Sequence, residues 1–237
     1  MSKPVRAFAF LLAVVAPLLS QAQSGNFEIA QHGHPVGTAS YQFRATPQGY
    51  ESSSLVRVAM QGLDYNLSKN EELSSANRLR RAQLSATVNG SAVTVIAKPD
   101  AAQILLNISS NGHSTTTRLD AHEGAVFLPD FDPGALETLL ALAVARNNRD
   151  LWAIVPKKTG SIAPVHLATY ADQKGTFNGK PITVHHLVVT VSGANTDLFS
   201  GPDNQLLQAE LSQQGFALVR KGFVLTPPAK PIAPPEQ

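Results

Sequence analysis

The sequence predicts a mainly β protein in which long antiparallel strands form a curved, partly open barrel around one buried helix. Three observations support this fold class. Apolar and polar residues alternate over most of the chain after Asn26, asparagine–glycine pairs separate several of the alternating runs, and one segment alone has the composition of a long helix. About ten antiparallel runs favour a curved sheet over an isolated flat one.

The first 22 residues have the three-part pattern of a secretory signal peptide. A basic start with Lys3 and Arg6 precedes an uncharged apolar run, and small residues lie just before Gln23. The apolar run is shorter than the roughly 20 residues that a bilayer span needs, and a proline interrupts it. We therefore expect cleavage close to Ala22, a periplasmic or secreted bacterial protein, and no stable membrane span after removal of the signal.

Composition excludes several classes of chemistry. The chain has no cysteine, which excludes disulfides, thiolate metal sites and a cysteine nucleophile. Removal of Lys3 and Arg6 with the leader leaves equal numbers of basic and acidic side chains. A neutral chain lacks the basic surface that phosphate backbones require, so we expect no nucleic-acid partner.

The first predicted strands lie between Phe27 and Met60. A strand over 27–31 turns at 32–35 and returns over 38–45, where Ala39, Tyr41 and Phe43 alternate with polar residues. A second turn at 47–49 leads into a further strand that ends at Met60. This alternation predicts a sheet with one apolar and one polar face.

Asn89–Gly90 marks the clearest hairpin, because this pair permits the positive φ angles of a type I′ turn. A two-residue loop there pairs Val88 with Ser91, Ala86 with Val93, Leu84 with Val95 and Ala82 with Ala97. Asn111–Gly112 and Asn178–Gly179 predict two further turns. The later predicted strands are 103–109, 114–119, 165–170, 183–192, 206–211 and 216–224.

One helix is predicted at about 133–146. Asp132 is a typical N-cap, Pro133 suits the first helical turn, and the segment is rich in alanine and leucine. Because its apolar residues occupy every face, we expect the helix to be buried all round in the concave side of the sheet. The sheet and helix form one domain over 25–224, and the proline-rich segment 226–237 is expected to be a disordered tail.

Short sequence stretches resemble uncharacterised exported bacterial β families. These are Phe27-Glu28-Ile29 with the following Val36-Gly37-Thr38, the segment 151–156, and the segments 197–199, 205–207 and 218–220. Such families are similar in outline to periplasmic lipoprotein carriers, whose incomplete antiparallel barrel wraps around helices and has an apolar interior. The resemblance covers roughly residues 25–224 and implies a fold rather than an activity.

The sequence contains no recognised catalytic motif. It lacks Gly-x-Ser-x-Gly, His-Glu-x-x-His and a dinucleotide fingerprint, so we expect no enzymatic activity, no catalytic residue and no cofactor. His32 and His34 are two residues apart, but the turn residues around them favour a solvated loop over a metal site. Asp120 and His122 would share one strand face, and we interpret them as a surface ion pair.

These observations favour an exported envelope protein that binds or carries an apolar, lipid-like ligand in the concave face of its sheet. The expected ligand contacts are Tyr41, Phe43, Leu139, Leu142 and Trp152. The alternative is a structural or interaction module that meets another envelope protein and has a packed interior. An apolar cavity between helix and sheet would favour the carrier.

Overall fold

The structure is a computed structural model that describes residues 23–227, so the predicted signal peptide (1–22) and residues 228–237 of the predicted tail lie outside it. The described chain contains seventeen strands, one α-helix and a short 3-10 helix. The strands before the α-helix are β1 (Ser24–Gln31), β2 (His34–Thr46), β3 (Gly49–Met60), β4 (Leu63–Ser74), β5 (Leu79–Val88), β6 (Ser91–Asp100), β7 (Gln103–Ser110), β8 (His113–Asp120) and β9 (Ala125–Phe127). The helix α1 (Pro133–Ala145) is followed by β10 (Leu151–Val155), β11 (Ser161–Thr169), β12 (Gln173–Phe177), β13 (Lys180–Val191), β14 (Ala194–Ser200), β15 (Leu206–Leu211), the 3-10 helix (Ser212–Gln214), β16 (Phe216–Arg220) and β17 (Phe223–Leu225).

The strands form one large, mostly antiparallel sheet that is curved and does not close. Each strand from β1 to β7 pairs with the next along the chain, which ends the series at β8. β1 also pairs with β16, and the order continues through β15, β14, β13, β11 and β10 to β9. The fold class is therefore mainly β with a single α-helix in the described residues, as the sequence predicts.

The predicted hairpin at Asn89–Gly90 is confirmed in every pair. Ala82 lies opposite Ala97, Leu84 opposite Val95, Ala86 opposite Val93 and Val88 opposite Ser91. The two turn residues have φ angles of 48° and 81°, as the type I′ geometry requires. Turn chemistry and apolar register agree at this site: the two-residue turn sets the pairing, and the alternation keeps the apolar side chains on one face.

The helix begins where the sequence predicts. Asp132 is the N-cap, and its Oδ1 accepts hydrogen bonds from the backbone N–H groups of Gly134 (2.9 Å) and Ala135 (3.2 Å). α1 contacts β2, β3, β9, β10 and β15, and ten of its residues are buried. The expectation of burial on every face is wrong for the second half, because Ala141 is exposed and Val144 is 57% exposed.

Apolar residues pack in two clusters on opposite faces of the sheet. The larger cluster joins the inner face of the sheet to α1 and includes Phe27, Val56 and Leu139. On the outer face, β12 pairs with the start of β13 and with β17. This arrangement buries a second, smaller cluster around Val184 and Phe199.

The strand pattern differs from the prediction in several places, and the short strands β9 and β12 have no predicted counterpart. The predicted strand 216–224 is divided by a turn at Lys221–Gly222, where Gly222 has a φ of 84°. β4 has no counterpart among the predicted strands, because its inward-facing positions include Lys69 and Glu71 rather than apolar residues. These two charged residues belong to the polar site described below.

Candidate functional site

Two apolar cavities lie on the face of the sheet that packs against α1, near the start of the helix. The first, called here the helix-side cavity, has a volume of about 470 Å³. The second, the sheet-side cavity, has a volume of about 420 Å³. Main apolar residues of the helix-side wall are Phe131, Leu136, Val155, Val189, Val191 and Leu218. Those of the sheet-side wall are Tyr65, Leu84, Ala86, Val93, Val95 and Ile108.

The two cavities are neighbours, because the same four residues line both: Pro129, Asp130, Lys157 and Lys158. We call these four residues the divider. Lys157 Nζ lies 2.8 Å from Asp130 Oδ1, so an ion pair joins the segment after β9 to the loop between β10 and β11. Both side chains of this pair are largely exposed, and such pairs contribute little to stability.

The loop between β10 and β11 is held against the sheet at two further points. Thr117 Oγ1 on β8 donates a hydrogen bond to the carbonyl oxygen of Thr159 (2.6 Å). Gly160 has a φ of 79°, and a Cβ at this residue would lie 2.0 Å from Leu106 Cδ2. Glycine is therefore required where the loop crosses the inner face of the sheet.

Phe131 directly follows the divider residue Asp130, lines the helix-side cavity and belongs to the packed core. Its ring makes edge contacts with Tyr65 at 6.0 Å and with Phe216 at 4.9 Å between centroids. Its φ of 56° is unusual for a bulky side chain and indicates local backbone strain. Strained residues concentrate at functional sites because the surrounding structure must hold them in place.

A buried ion-pair network fixes the start of α1. Lys69 Nζ lies 2.7 Å from Asp132 Oδ2 and 3.0 Å from Glu71 Oε2, and all three side chains are inaccessible to solvent. Burial lowers the pKa of Lys69, but the carboxylates of Asp132 and Glu71 outweigh it and the net shift is upward. Burial raises the pKa of the Glu71 carboxyl, although Lys69 opposes this.

Two buried serines of β3 lie beside this ion-pair network. The helix also approaches the sheet closely at this point. Ser52 and Ser54 pair with Glu71 and Lys69, and both hydroxyl oxygens are buried without a hydrogen-bond partner among the described residues. A Cβ at Gly134 would lie 2.5 Å from Ser54 Oγ, so only glycine permits this approach. Unsatisfied polar groups inside an apolar sheet cost stability and are expected where function constrains the sequence.

A second polar network holds the middle of α1. The Tyr41 hydroxyl and the Leu206 N–H (2.8 Å) both donate to Glu137 Oε1, and Arg220 Nη1 lies 3.7 Å from the same oxygen. Arg220 also donates to the Ser24 carbonyl oxygen at 2.6 Å. Burial raises the pKa of the Glu137 carboxyl, and burial together with that carboxylate raises the pKa of the Tyr41 hydroxyl.

The five predicted ligand contacts do not come together in one cavity. Leu139 and Leu142 are each 1% exposed and lie in the packed core. Tyr41 is buried against Glu137, and Phe43 lines a separate depression of about 330 Å³ at the side of α1. The ring of Trp152 stacks on His122, with 3.6 Å between centroids and 10° between planes.

Little in the sequence indicates that the residues lining the two cavities form a site. Lys157 and Lys158 are adjacent lysines just before Thr159–Gly160, and Phe131 lies in a short segment between two acidic residues. Each segment has the composition of an ordinary loop. The parallel pairing of β9 with β10 places the loops that follow these strands side by side, and such a pairing has no local sequence signature.

Several histidines, among them His32, His122 and His186, have structural partners. The His32 ring packs over Gly215, and His122 lies beyond the end of β8, so it stacks on Trp152 instead of sharing a strand face with Asp120. His186 Nε2 lies 2.8 Å from Asp197 Oδ1, and its ring stacks on Phe199. Among residues 23–227, no group of three histidine or acidic side chains is arranged to hold a metal ion.

Comparison of the chain with protein-family models, with curated proteins and with solved structures finds no match. Of the helices in the described range, none has the length and apolar character that crossing a membrane requires. The cavities and the side chains around them are therefore the features of the molecule that bear on its function.

Proposed function

We propose that this chain is an exported bacterial envelope protein that binds and carries an apolar, lipid-like ligand at the open side of a half-barrel wrapped around α1. The observation that supports the proposal most directly is the pair of apolar cavities. Each has a volume within the range of roughly 300–1,000 Å³ that is common for small-molecule sites. The helix-side cavity lies at the start of α1, where Leu136 lines it, and the sheet-side cavity lies between the sheet and the divider.

In this proposal the residues around the divider bind the ligand, and the middle of α1 supports the site from below. Phe131, Leu136 and Val191 supply the wall of one cavity, and Leu84 and Ala86 supply the wall of the other. Buried side chains such as Leu139 then act as the packed base of the site. The resemblance to lipoprotein carriers implies an apolar interior and the predicted leader implies a location outside the cytoplasm, and both agree with this proposal.

Purification without detergent, followed by lipid extraction and mass spectrometry, tests whether a lipid is bound. Binding of the hydrophobic dye N-phenyl-1-naphthylamine to delipidated protein gives a second, quantitative readout. The double variant Val191→Trp/Ala86→Trp fills both cavities and should abolish dye binding. The double variant Val224→Trp/Ala92→Trp adds the same bulk at exposed positions outside the cavity linings and should bind dye like the parent protein.

The second candidate is an envelope interaction module without a ligand. It is favoured by apolar side chains exposed outside the cavities, because Leu55, Tyr170 and Val224 are 57%, 54% and 63% exposed. Isolated exposed apolar residues are common on ordinary surfaces, so this observation is weaker than the cavities. Absence of bound lipid together with absence of dye binding would overturn the carrier proposal and favour the module.

A further inference from the structure

We infer that the ligand is a two-chain amphiphile with an anionic head group, which straddles the divider with one chain in each cavity. This inference rests on the proposed function and names its ligand class. The geometry that supports it is the sharing of Asp130, Lys157 and Lys158 by two cavities of similar volume, about 470 and 420 Å³. A ligand that meets the divider therefore has an apolar space on each side.

Apolar burial favours the occupation of both spaces by a single molecule. The gain from removing apolar surface from water is roughly proportional to the area buried, about 25 cal/mol per Å². A single-chain ligand fills one cavity and leaves the apolar wall of the other in water. A second chain on the same head group covers that wall without a second loss of translational freedom, since the two chains are already joined.

The charge at the divider favours an anionic head group. Lys157 is paired with Asp130, while no carboxylate of residues 23–227 lies within 4 Å of the Lys158 ammonium. Asp132, which also lines the helix-side cavity, is fully buried and shares the Lys69 ammonium with Glu71, so its carboxylate is not exposed to a ligand at the divider. The remaining polar lining of that cavity is neutral and comprises Thr159, Ser161, Ser192, Asn195, Thr196, Gln213 and Gln214. A phosphate diester placed over the divider would meet one excess positive charge and several neutral hydrogen-bonding groups.

The two-chain arrangement is tested by filling the cavities separately. Val191→Trp and Ala86→Trp each block one cavity of the delipidated full-length mature chain, and circular dichroism confirms that each variant is folded. Phosphatidylglycerol affinity should fall at least about tenfold in each single variant, because both cavities are needed at once. The single-chain probe cis-parinaric acid should bind the parent protein at two sites and each single variant at one.

The outcomes separate this inference from the proposed function. If phosphatidylglycerol affinity is unchanged in either single variant, the two-chain arrangement is wrong. If the parent protein binds cis-parinaric acid but not phosphatidylglycerol, the ligand class is wrong and the proposed apolar site remains. If the parent protein binds neither probe, both proposals fail.

The head-group assignment has its own test. Lys158→Glu reverses the unpaired charge at the divider, and Lys98→Glu makes the same change at an exposed lysine of β6 outside the cavity linings. The parent protein should bind phosphatidylglycerol at least about tenfold more tightly than phosphatidylcholine, Lys158→Glu should remove this preference, and Lys98→Glu should retain it. Equal affinity of the parent protein for the two lipids, or an unchanged preference in Lys158→Glu, would overturn the assignment.

Discussion

At the scale of single residues, Lys69 is the side chain on which the buried network around Asp132 and Glu71 depends. Its ammonium lies between two carboxylates that have no access to solvent. Lys69→Met keeps the length of the side chain but leaves both carboxylates without a counter-charge. We expect the free energy of unfolding to fall by about 3–5 kcal/mol, measured by urea denaturation.

A matched control and a rescue variant make this prediction specific. Lys98→Met removes an exposed lysine from a neighbouring part of the sheet and should change stability by less than about 0.5 kcal/mol. Lys69→Met/Glu71→Leu removes one of the uncompensated carboxylates and should recover part of the loss. A Lys69→Met protein as stable as the parent would show that the network contributes nothing to folding.

Glu137 gives the second residue-scale prediction, which concerns pH. Burial raises the pKa of this carboxyl above its ordinary value of 4.5, so the folded protein holds the proton more tightly than the unfolded chain. The contribution of Glu137 to stability is therefore greatest below about pH 4.5 and falls as pH rises through the raised pKa. Glu71 acts in the same direction.

Glu137→Gln, which cannot ionise, should flatten this decline in the unfolding free energy measured between pH 4 and pH 8. Glu72→Gln is the control, because its side chain is exposed on the opposite face of β4. An equal pH slope in Glu137→Gln and the parent protein would contradict the prediction. The slope in Glu72→Gln should match that of the parent.

Sequence reasoning found one member of these polar networks and missed the others for a physical reason. Asp132 was predictable because an aspartate before proline and a helical segment is a local capping pattern. Lys69 and Glu71 are buried by partners distant in sequence, and in isolation charged residues at alternate positions indicate a solvated strand face. Glu137 is one of few polar residues in an apolar helix, and the sequence alone gives no reason for it. Its partners Tyr41 and Arg220 come from distant strands.

At the scale of elements, the β5–β6 hairpin connects a local turn to a long-range register. Gly90 has a φ of 81°, which a β-branched residue resists. Gly90→Val should therefore lower the unfolding free energy by about 1 kcal/mol or more, measured as a lower thermal midpoint. Ser91→Val places the same side chain one residue later inside β6 and should have a smaller effect; equal midpoints for the two variants would argue against the turn assignment.

The helix α1 provides a comparison within one element. Leu139 and Leu142 are buried in the core, whereas Val144 is 57% exposed on the same helix. Truncation of either leucine to alanine should cost roughly 2–5 kcal/mol of unfolding free energy, since it leaves a core cavity. Val144→Ala should cost less than about 0.5 kcal/mol. Similar losses for the buried and exposed positions would mean that the helix is not packed as described.

Elements with a strong local pattern were predictable, and elements defined by distant partners were not. The β5–β6 register and the start of α1 follow from turn residues, alternation and capping. β9 is three residues long and pairs in parallel with β10, so its sequence alone carries too little pattern. β17 is joined to β16 in one predicted strand because only the short segment 220–222 separates two apolar runs.

At the scale of the whole molecule, the interior has a packed part and an open part. Leu139 and Leu142 join α1 to the sheet in the packed part, while the cavities on either side of the divider form the open part. The fold class could be predicted from alternation. The position of the cavities could not, because it depends on how the loops after β9 and β10 meet across a sheet that does not close.

This division predicts that stability and ligand response can be changed independently. A ligand that binds only the folded state raises the unfolding free energy by about 2.7 kcal/mol at a hundred times its Kd. Leu142→Ala should lower the thermal midpoint of the delipidated protein yet retain the rise caused by added phosphatidylglycerol, since Leu142 lines neither cavity. Val191→Trp should have the opposite effect, with a nearly unchanged midpoint and a much smaller rise. Differential scanning calorimetry with and without lipid measures both the midpoint and its rise. A Leu142→Ala variant that loses the lipid-induced rise would show that the ligand site includes the packed part of the interior.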